Sequence, residues 1–521
     1  MKENKRIFKA AGIISLFTLL SRILGYIRDM VMAYFFGSGL ITDAFIAAYR
    51  LPNLLRRLFA EGSLVVSFVP VFSDYYENKG EDEAFKLAGS ALRVLSVVLF
   101  VISVMGVIFA AEIIQMVAPG FDNIEQVELA TSLTRIVFPY AFFICLLALA
   151  MGILNALGHF SAPAFAPVLL NIAMISSMFI AAYLSDSSIF RIKALAFGVL
   201  AGGVIQLGIQ IPFLIKKGFL FWQKAPLFHE GLKKIGKMML PGVLGAGVYQ
   251  INILVGTILS SMLEEGSISW LYYADRIFQF PLGIFAISIG TAILPSMSRQ
   301  FAANDREGLK ETFRYGLRLV FFISLPAMAG LIVLREPIIS FLFERGKFTA
   351  SDVVMTADAL LYYAAGLCSV SAVRVTTPVF YARQDARTPV KIAVVAIISN
   401  VFLSLWLMTI LQHCGLALAT TLASSINLLL LIIAARLTIG PFGGKKIIIS
   451  IFRSSFCAVI MGYAVHYLAL YLIPIYSGAS FIVLAGGMVG CIGGGVVVYI
   501  FMSLLMKSPE IKSAVSLIKK R

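Results

Sequence analysis

Charge is scarce in this chain, and histidine and cysteine are scarcer still. Of 521 residues, 13% are Asp, Glu, Lys or Arg, about half the share in an ordinary soluble domain, while 60% are hydrophobic. A soluble chain so poor in charge would expose wide apolar patches and precipitate. A bilayer is the solvent in which such a surface is stable. The four histidines, His159, His229, His413 and His466, are dispersed and form no HExxH pair, so a zinc hydrolase is not indicated. The five cysteines, Cys145, Cys368, Cys414, Cys457 and Cys491, lie in or beside apolar runs without CxxC spacing. They read as small buried hydrophobes. No G-x-x-x-x-G-K-[ST] loop is present, so ATP is not the evident energy source. Gly493, Gly494 and Gly495 lie inside an apolar run, where close helix packing explains them. No catalytic residue, metal or cofactor is expected, and the chain does not read as an enzyme.

What is present is a series of long apolar runs. About fourteen of them are long enough to cross a bilayer, the first at roughly 7–35 and the last at roughly 479–506. The first run follows Lys2, Lys5 and Arg6 but lacks an A-x-A-like cleavage site, and Arg22 and Arg28 interrupt it. It reads as a retained helix. Lys+Arg number 43 and Asp+Glu 27, a formal net charge of +16. These positives gather in alternate short loops, which is a topology signal and not a nucleic-acid groove. Lys216, Lys217, Lys224, Lys233, Lys234 and Lys237 fill one loop, and Lys519, Lys520 and Arg521 end the chain. The loops Gly37–Ile41, Leu263–Ser267, Gln412–Gly415 and Pro474–Ser480 contain no Lys or Arg, while Arg191, Lys193, Arg335, Arg345 and Lys347 dissent. The expected localisation is a multi-pass cell-membrane protein with both termini cytoplasmic.

The chain repeats itself at an offset of about 225 residues. Phe68-Val69-Pro70-Val71-Phe72-Ser73 resembles Ile293-Leu294-Pro295-Ser296-Met297-Ser298, and Ala156 to Pro163 echoes Ala382 to Pro389. Six helices separate the copies, so the repeats are parallel and related by an axis along the membrane normal. The expected fold is all-α and polytopic: two parallel six-helix lobes, 1–215 and 237–437, with helices 13 and 14 in 438–521 outside the repeat. Two lobes around a cavity are a transporter architecture. The stretch 216–236 joins them. Its Leu232 and Ile235, with Met238 and Met239 just beyond, have the spacing of a short amphipathic helix on the membrane surface, and its lysines equally fit a solvated linker.

Ionisable residues at membrane depth are expensive and point to function. The first helix contains Ser21, Arg22, Arg28 and Asp29; the second contains Asp43, Arg50, Pro52, Arg56, Arg57 and Glu61. Helical periodicity sets Arg22 and Asp29 on one face and Arg28 to one side, and Pro52 kinks the second helix beside its charges. The eighth helix opens with Trp270-Leu271-Tyr272-Tyr273-Ala274-Asp275-Arg276, and Arg374 lies in the tenth. The arginines outnumber the carboxylates near them. Each could snorkel to an interface or pair with Asp29, Asp43, Glu61 or Asp275; as a set they suit an anionic substrate, because guanidinium is a planar fork for phosphate. Trp270, Tyr272 and Tyr273 fit an interfacial belt or a platform for a sugar ring.

These residues resemble the MurJ/MviN lipid II flippases of the multidrug/oligosaccharidyl-lipid/polysaccharide exporter superfamily, over essentially the whole chain. The resemblance is carried by Thr42-Asp43-Ala44-Phe45, by Leu51-Pro52-Asn53-Leu54-Leu55-Arg56-Arg57-Leu58-Phe59-Ala60-Glu61-Gly62, by Ser21-Arg22 with Arg28-Asp29, by Tyr272-Tyr273-Ala274-Asp275-Arg276, and by Phe380-Tyr381-Ala382-Arg383-Gln384-Asp385 with Thr388-Pro389. It implies a flippase for lipid II, an undecaprenyl diphosphate bearing a disaccharide-pentapeptide, working by alternating access. It assigns substrate binding to Arg22, Arg28, Arg56 and Arg276, with Asp43 and Glu61 as functional carboxylates and Ser21, Asp29 and Asp275 in the matching motifs. Helices 13 and 14 would form a groove for the lipid tail. Membrane lipids and cell-wall synthesis proteins are the other partners it implies, with no nucleic acid. Two departures matter. Helix 7 reads Tyr249-Gln250-Ile251-Asn252 with no acid where some members place a sodium-site carboxylate, and Gln279 stands where some relatives have Glu. The drive is therefore membrane potential or an ion gradient of unknown ion. Competing readings are a flippase for another polyprenyl-diphosphate-linked oligosaccharide, a membrane-embedded glycan polymerase, and a scaffold for wall-synthesis enzymes. The absence of an acid, base and metal constellation counts against the polymerase, and the arginine excess counts against a drug exporter.

Overall fold

The computed structural model describes residues 2–220, 225–473 and 481–511. Outside the described residues lie Lys224, Lys519, Lys520, Arg521 and the loop 474–480, together with the side chains of Lys2, Lys5, Arg6, Lys9, Glu61 and Tyr249. Every described element is helical. Contacts divide the chain into two units: Met1–Ser269 with Arg345–Lys347, and Trp270–Glu344 with Phe348–Arg521.

The first unit runs α1 (Lys2–Phe36), α2 (Leu40–Leu55), a π-helical segment (Arg56–Ser63), α3 (Leu64–Asn78), α4 (Glu81–Ile108), α5 (Ala110–Val117), α6 (Ile124–Val137), α7 (Tyr140–Ala156), α8 (Ser161–Leu184), α9 (Ser188–Gly208), α10 (Ile211–Lys216) and α11 (Glu230–Ser261). The second begins within α12 (Ser267–Pro281) and continues through a π-helical segment (Leu282–Ala286), α13 (Ile287–Ala302), α14 (Arg306–Val333), α15 (Arg335–Phe343), α16 (Ala350–Ala365), α17 (Leu367–Ala382), α18 (Arg387–Ile439), α19 (Gly444–Leu472) and α20 (Phe481–Leu505).

The repeat inferred from sequence is written into these elements. Each unit carries a proline-containing helix, α2 or α12, that passes into a π-helical segment and then into a second proline-containing helix, α3 or α13. Proline removes a backbone donor and π turns absorb the resulting misregister, so the two segments carry the same irregularity at matching places. The next helices, α4 and α14, are each 28 residues long. Helices α7 and α17 close alike. Gly158 (φ 72°) and Gln384 (φ 61°) take the left-handed conformation, and the amides of His159 and Asp385 reach back to the carbonyls of Leu154 (2.8 Å) and Phe380 (2.9 Å). That is the usual way a helix satisfies its last carbonyls.

By length and hydropathy, nine helices or helix runs among the described residues can cross a membrane, or ten when α16 and α17, bent by 41°, count as one. The other crossings expected from sequence fall where those criteria fail. Arg22, Arg28 and Asp29 interrupt α1, and charge and the π segment interrupt α2–α3. Gln412 (φ 50°, ψ −131°) breaks the 53-residue α18 into two rods.

Two features differ from expectation. The linker is no free surface helix: from Glu230 onward it is the first part of α11. Ile235 is buried, and Leu232 and Met239 pack on the same core with Phe72, Phe85 and Leu87. Burial against protein wins over headgroups because polar contacts on both sides fit it. Ser90 donates to the Leu227 carbonyl (3.0 Å), Arg93 donates to that of Ala225, and Lys234 pairs with Asp74 (3.1 Å). Lys79 (3.0 Å) and Tyr75 (3.2 Å) both donate to Glu230 and hold its carboxyl below the ordinary value. Accordingly α11, the first helix of the expected second lobe, packs on the π segment, α3 and α4 of the first unit.

Helices α19 and α20 attach to α14 through Leu325, Cys457, Met461, Val465, Cys491 and Tyr499. Glu510, 4% exposed, accepts from Arg318 (2.7 Å), Ser450 (2.7 Å) and Ser508 (2.5 Å) and ties the chain after α20 to this sub-bundle.

Candidate functional site

In the first unit the α1 charges form a defined cluster. Arg28 donates through Nε (3.0 Å) and an Nη (2.7 Å) to one oxygen of Asp29, which is fully buried. Its other Nη reaches Asn171 Oδ1 on α8 (3.3 Å), and the Asn171 amide donates to the carbonyl of Ser21 (3.0 Å). Helical periodicity set Arg28 to one side of the face shared by Arg22 and Asp29, with pairing to Asp29 one of the alternatives; the structure pairs the two. A long guanidinium stem folds back onto its neighbour, whereas Arg22, on the nominal Asp29 face, points to an exposed position. Ser21 joins the cluster through its backbone.

Arg56 begins the π segment of α2–α3, and its Nε donates to Asn53 Oδ1 (2.9 Å). That bond orients the guanidinium plane at the proline-induced bend. Lysine at this position keeps the charge but has neither the fork nor an Nε–H. Arg56→Lys should therefore bind a diphosphate headgroup about tenfold or more weakly, the loss of one charge-assisted bond. Titration of the purified variant beside Arg56→Ala checks this, and wild-type affinity for the lysine variant would sink it.

Asp43, at the opposite end of α2, pairs with no arginine among the described residues. Its carboxylate, 2% exposed, accepts from the amides of Gly266 (2.8 Å) and Ser269 (2.8 Å) and from the Ser269 hydroxyl. Glu265 caps the same helix, accepting from the Leu40 amide (2.7 Å). Helix α2 and the turn at 265–269 are thus laced together by two carboxylates.

In the second unit, Gln279 donates long bonds to Asp275 (3.4 and 3.5 Å), and Arg276 lies over the Tyr272 ring (5.9 Å). Tyr272 is half-buried beside Arg276. Trp270 and Tyr273 are neither belt nor sugar platform, because both are buried. The Trp270 indole donates to Asp352 (3.1 Å), and Tyr273 packs on Phe343 (4.8 Å) and Phe348 (5.5 Å).

Sequence reasoning passed over Asn171, whose amide carries no charge to mark it, and over Arg135 and Asp358. The last two lie inside α6 and α16. The rule that flagged Arg28 could have found both, since each is an ionisable residue in an apolar helix.

These arginine-centred contacts lie on a helical frame interrupted by prolines and π turns. The profile of the family described as lipid II flippase MurJ matches residues 32–486. The chain belongs to this family. A probable lipid II flippase MurJ of Vibrio cholerae is 40% identical over 436 residues, 82% of each chain. The lipid II flippase MurJ of Burkholderia cenocepacia is 37% identical, covering 82% of this chain and 84% of its own. A solved MurJ lipid II flippase in an inward closed conformation superposes with a TM-score of 0.80 at 29% identity, over 95% of this chain and 98% of its own. An inward-facing transporter of the MATE family shares the fold at a TM-score of 0.71 and 16% identity, over 81% and 96%. The MurJ match takes in the π segments and α2, α8 and α12, with Arg56, Asn171 and Arg276, whereas Ser21, Arg22, Arg28 and Asp29 on α1 precede it.

Proposed function

We propose that this MurJ-family protein carries lipid II, the lipid-linked peptidoglycan precursor, from the inner to the outer leaflet of the bacterial inner membrane. The observation that carries the reading is the family membership over residues 32–486, and the physical chemistry of the site agrees with it. A diphosphate cannot cross hydrocarbon unaided, whereas a polyprenyl tail stays in lipid throughout. Arg28 and Arg56, each oriented by a neighbouring carboxylate or amide oxygen, present guanidinium to such a head. Pairing with Asp29 tempers Arg28, which suits a carrier that must release what it binds.

Solved relatives of the same fold occur in inward-facing and outward-facing conformations, which supports alternating access. The drive is membrane potential or an ion gradient, with no bound cofactor; each charge moved is worth about 2.3 kcal/mol per 100 mV. Loop charges favour both termini in the cytoplasm and Leu263–Ser267 outside. Depletion of the protein followed by a sidedness assay tests the reading. Lipid II should accumulate on the cytoplasmic leaflet while its synthesis continues; unchanged sidedness would refute it, and failed polymerisation of already flipped precursor would favour a polymerase or scaffold.

A further inference from the structure

Helix α17 packs against α13, α14 and α18 of its own unit. The side it leaves accessible carries Val370, Val373, Arg374, Thr377 and Tyr381, with Arg374 exposed and Tyr381 48% exposed. Other long helices turn purely apolar faces outward: Val97, Phe100, Val104 and Ile108 on α4, and Ile398, Phe402 and Leu405 on α18. Those are lipid faces. The α17 face is not of that kind, because it holds a guanidinium eight residues, about 12 Å, from the helix end at Ala382. Among the described residues no side-chain hydrogen bond or ion pair engages Arg374.

The neighbouring helix presents a mixed polar and apolar face. At Gly290, α13 comes so close to α17 that a Cβ there would overlap the Arg374 carbonyl oxygen. Beside Gly290, Ser288, Thr291 and Pro295 are exposed, and the apolar Phe280, Ile284 and Ile287 are exposed on the stretch toward Arg276. The accessible face of α13 continues that of α12, which bears the partly accessible Arg276. Arg276 and Gly290 are fourteen residues apart, about 21 Å of helix. One accessible track on the second unit therefore has a cation near each end.

We propose that Arg374 is a further substrate-binding residue, which holds the diphosphate of the lipid-linked substrate on the half of the track remote from Arg276. The proposal rests on the reading that the substrate is a polyprenyl diphosphate. With its two amino groups and Nε–H in one plane, guanidinium accepts a diphosphate from the leaflet nearest Ala382. Release toward Arg276 then needs no cation to travel. The loop charges assign that leaflet to the cytoplasm, so Arg374 acts at capture.

Two measurements test it. Thr377→Cys, in a protein whose own cysteines are replaced, should react in inverted vesicles with a membrane-impermeant thiol reagent; reaction only with a membrane-permeant reagent puts the face in lipid and overturns the proposal. Purified protein in nanodiscs is then titrated with undecaprenyl diphosphate carrying no sugar. Arg374→Ala and Arg374→Gln should lose at least tenfold in affinity and Arg374→Lys less, with melting temperatures unchanged. Affinity within twofold of the unsubstituted protein, or no binding by the unsubstituted protein, overturns it. The reading beneath it fails separately, if the unsubstituted protein binds this probe yet does not flip lipid II.

Discussion

Replacing Arg28 with alanine is expected to abolish transport and to destabilise the membrane-inserted protein by about 3–5 kcal/mol, the cost of removing one partner of a buried ion pair. Asp29 is fully buried and accepts two short guanidinium bonds from Arg28. Without them it keeps its desolvation penalty and loses the counter-charge that Arg28 supplies. Asp29→Ala should be destabilising for the mirror-image reason. The informative variant is the double substitution, Arg28→Ala with Asp29→Ala. Removing both charges should return most of the lost stability, because apolar replacement of a buried pair is often neutral. It should not return transport, since the guanidinium that would meet the headgroup is still missing. Thermal unfolding in detergent reads the first quantity and complementation of a depleted strain reads the second. A double variant that complements would make the pair purely structural and withdraw Arg28 from the substrate.

Much of this was legible in the sequence, for a reason specific to membranes. Charge inside an apolar run is conspicuous, so Arg28, Asp29, Asp43, Arg56, Asp275 and Arg276 stand out without any structure. Prolines are conspicuous too, and Pro70 with Pro295 sufficed to find the repeat that the helices follow. Partners were not legible. Periodicity ranks faces of a straight helix by Cα direction, and it set Arg22 against Asp29; a flexible arginine stem overrode that ranking and brought in Arg28. Nothing local marks Asn171, 143 positions from Arg28, or the pairing of Trp270 with Asp352. The linker misled for a related reason. An apolar stripe on a basic helix fits a membrane surface or a protein surface equally well, and only Ser90, Arg93 and Asp74 on the facing helices decide between them. The π segments were invisible as such, although each follows a proline and contains a glycine, Gly62 or Gly283.

Asp43→Asn is expected to reduce transport at least tenfold while leaving insertion intact. The carboxylate takes three donors: the amides of Gly266 and Ser269 and the Ser269 hydroxyl. A carboxylate accepts all three at once, whereas asparagine offers one carbonyl oxygen and turns an NH2 group toward the remaining donors. Each bond to a charged group contributes roughly 1.5–3 kcal/mol, so losing one shifts the bound arrangement of the 265–269 turn by about ten- to a hundredfold. The consequence reaches function because Ser269 is the last residue of the first unit before the chain enters the second. A loosened turn there frees the connection through which the chain passes from one unit into the next. Gly266→Ala attacks the same turn without touching the carboxylate: Gly266 sits at φ 97°, where any side chain is strained. Both variants should speed hydrogen exchange at the amides of Gly266 and Ser269, and Glu265→Gln, which loosens only the separate Leu40 bond, should affect them less. Wild-type transport by Asp43→Asn together with accelerated exchange would show that the turn can open without cost to the cycle, and Asp43 would then be a structural cap.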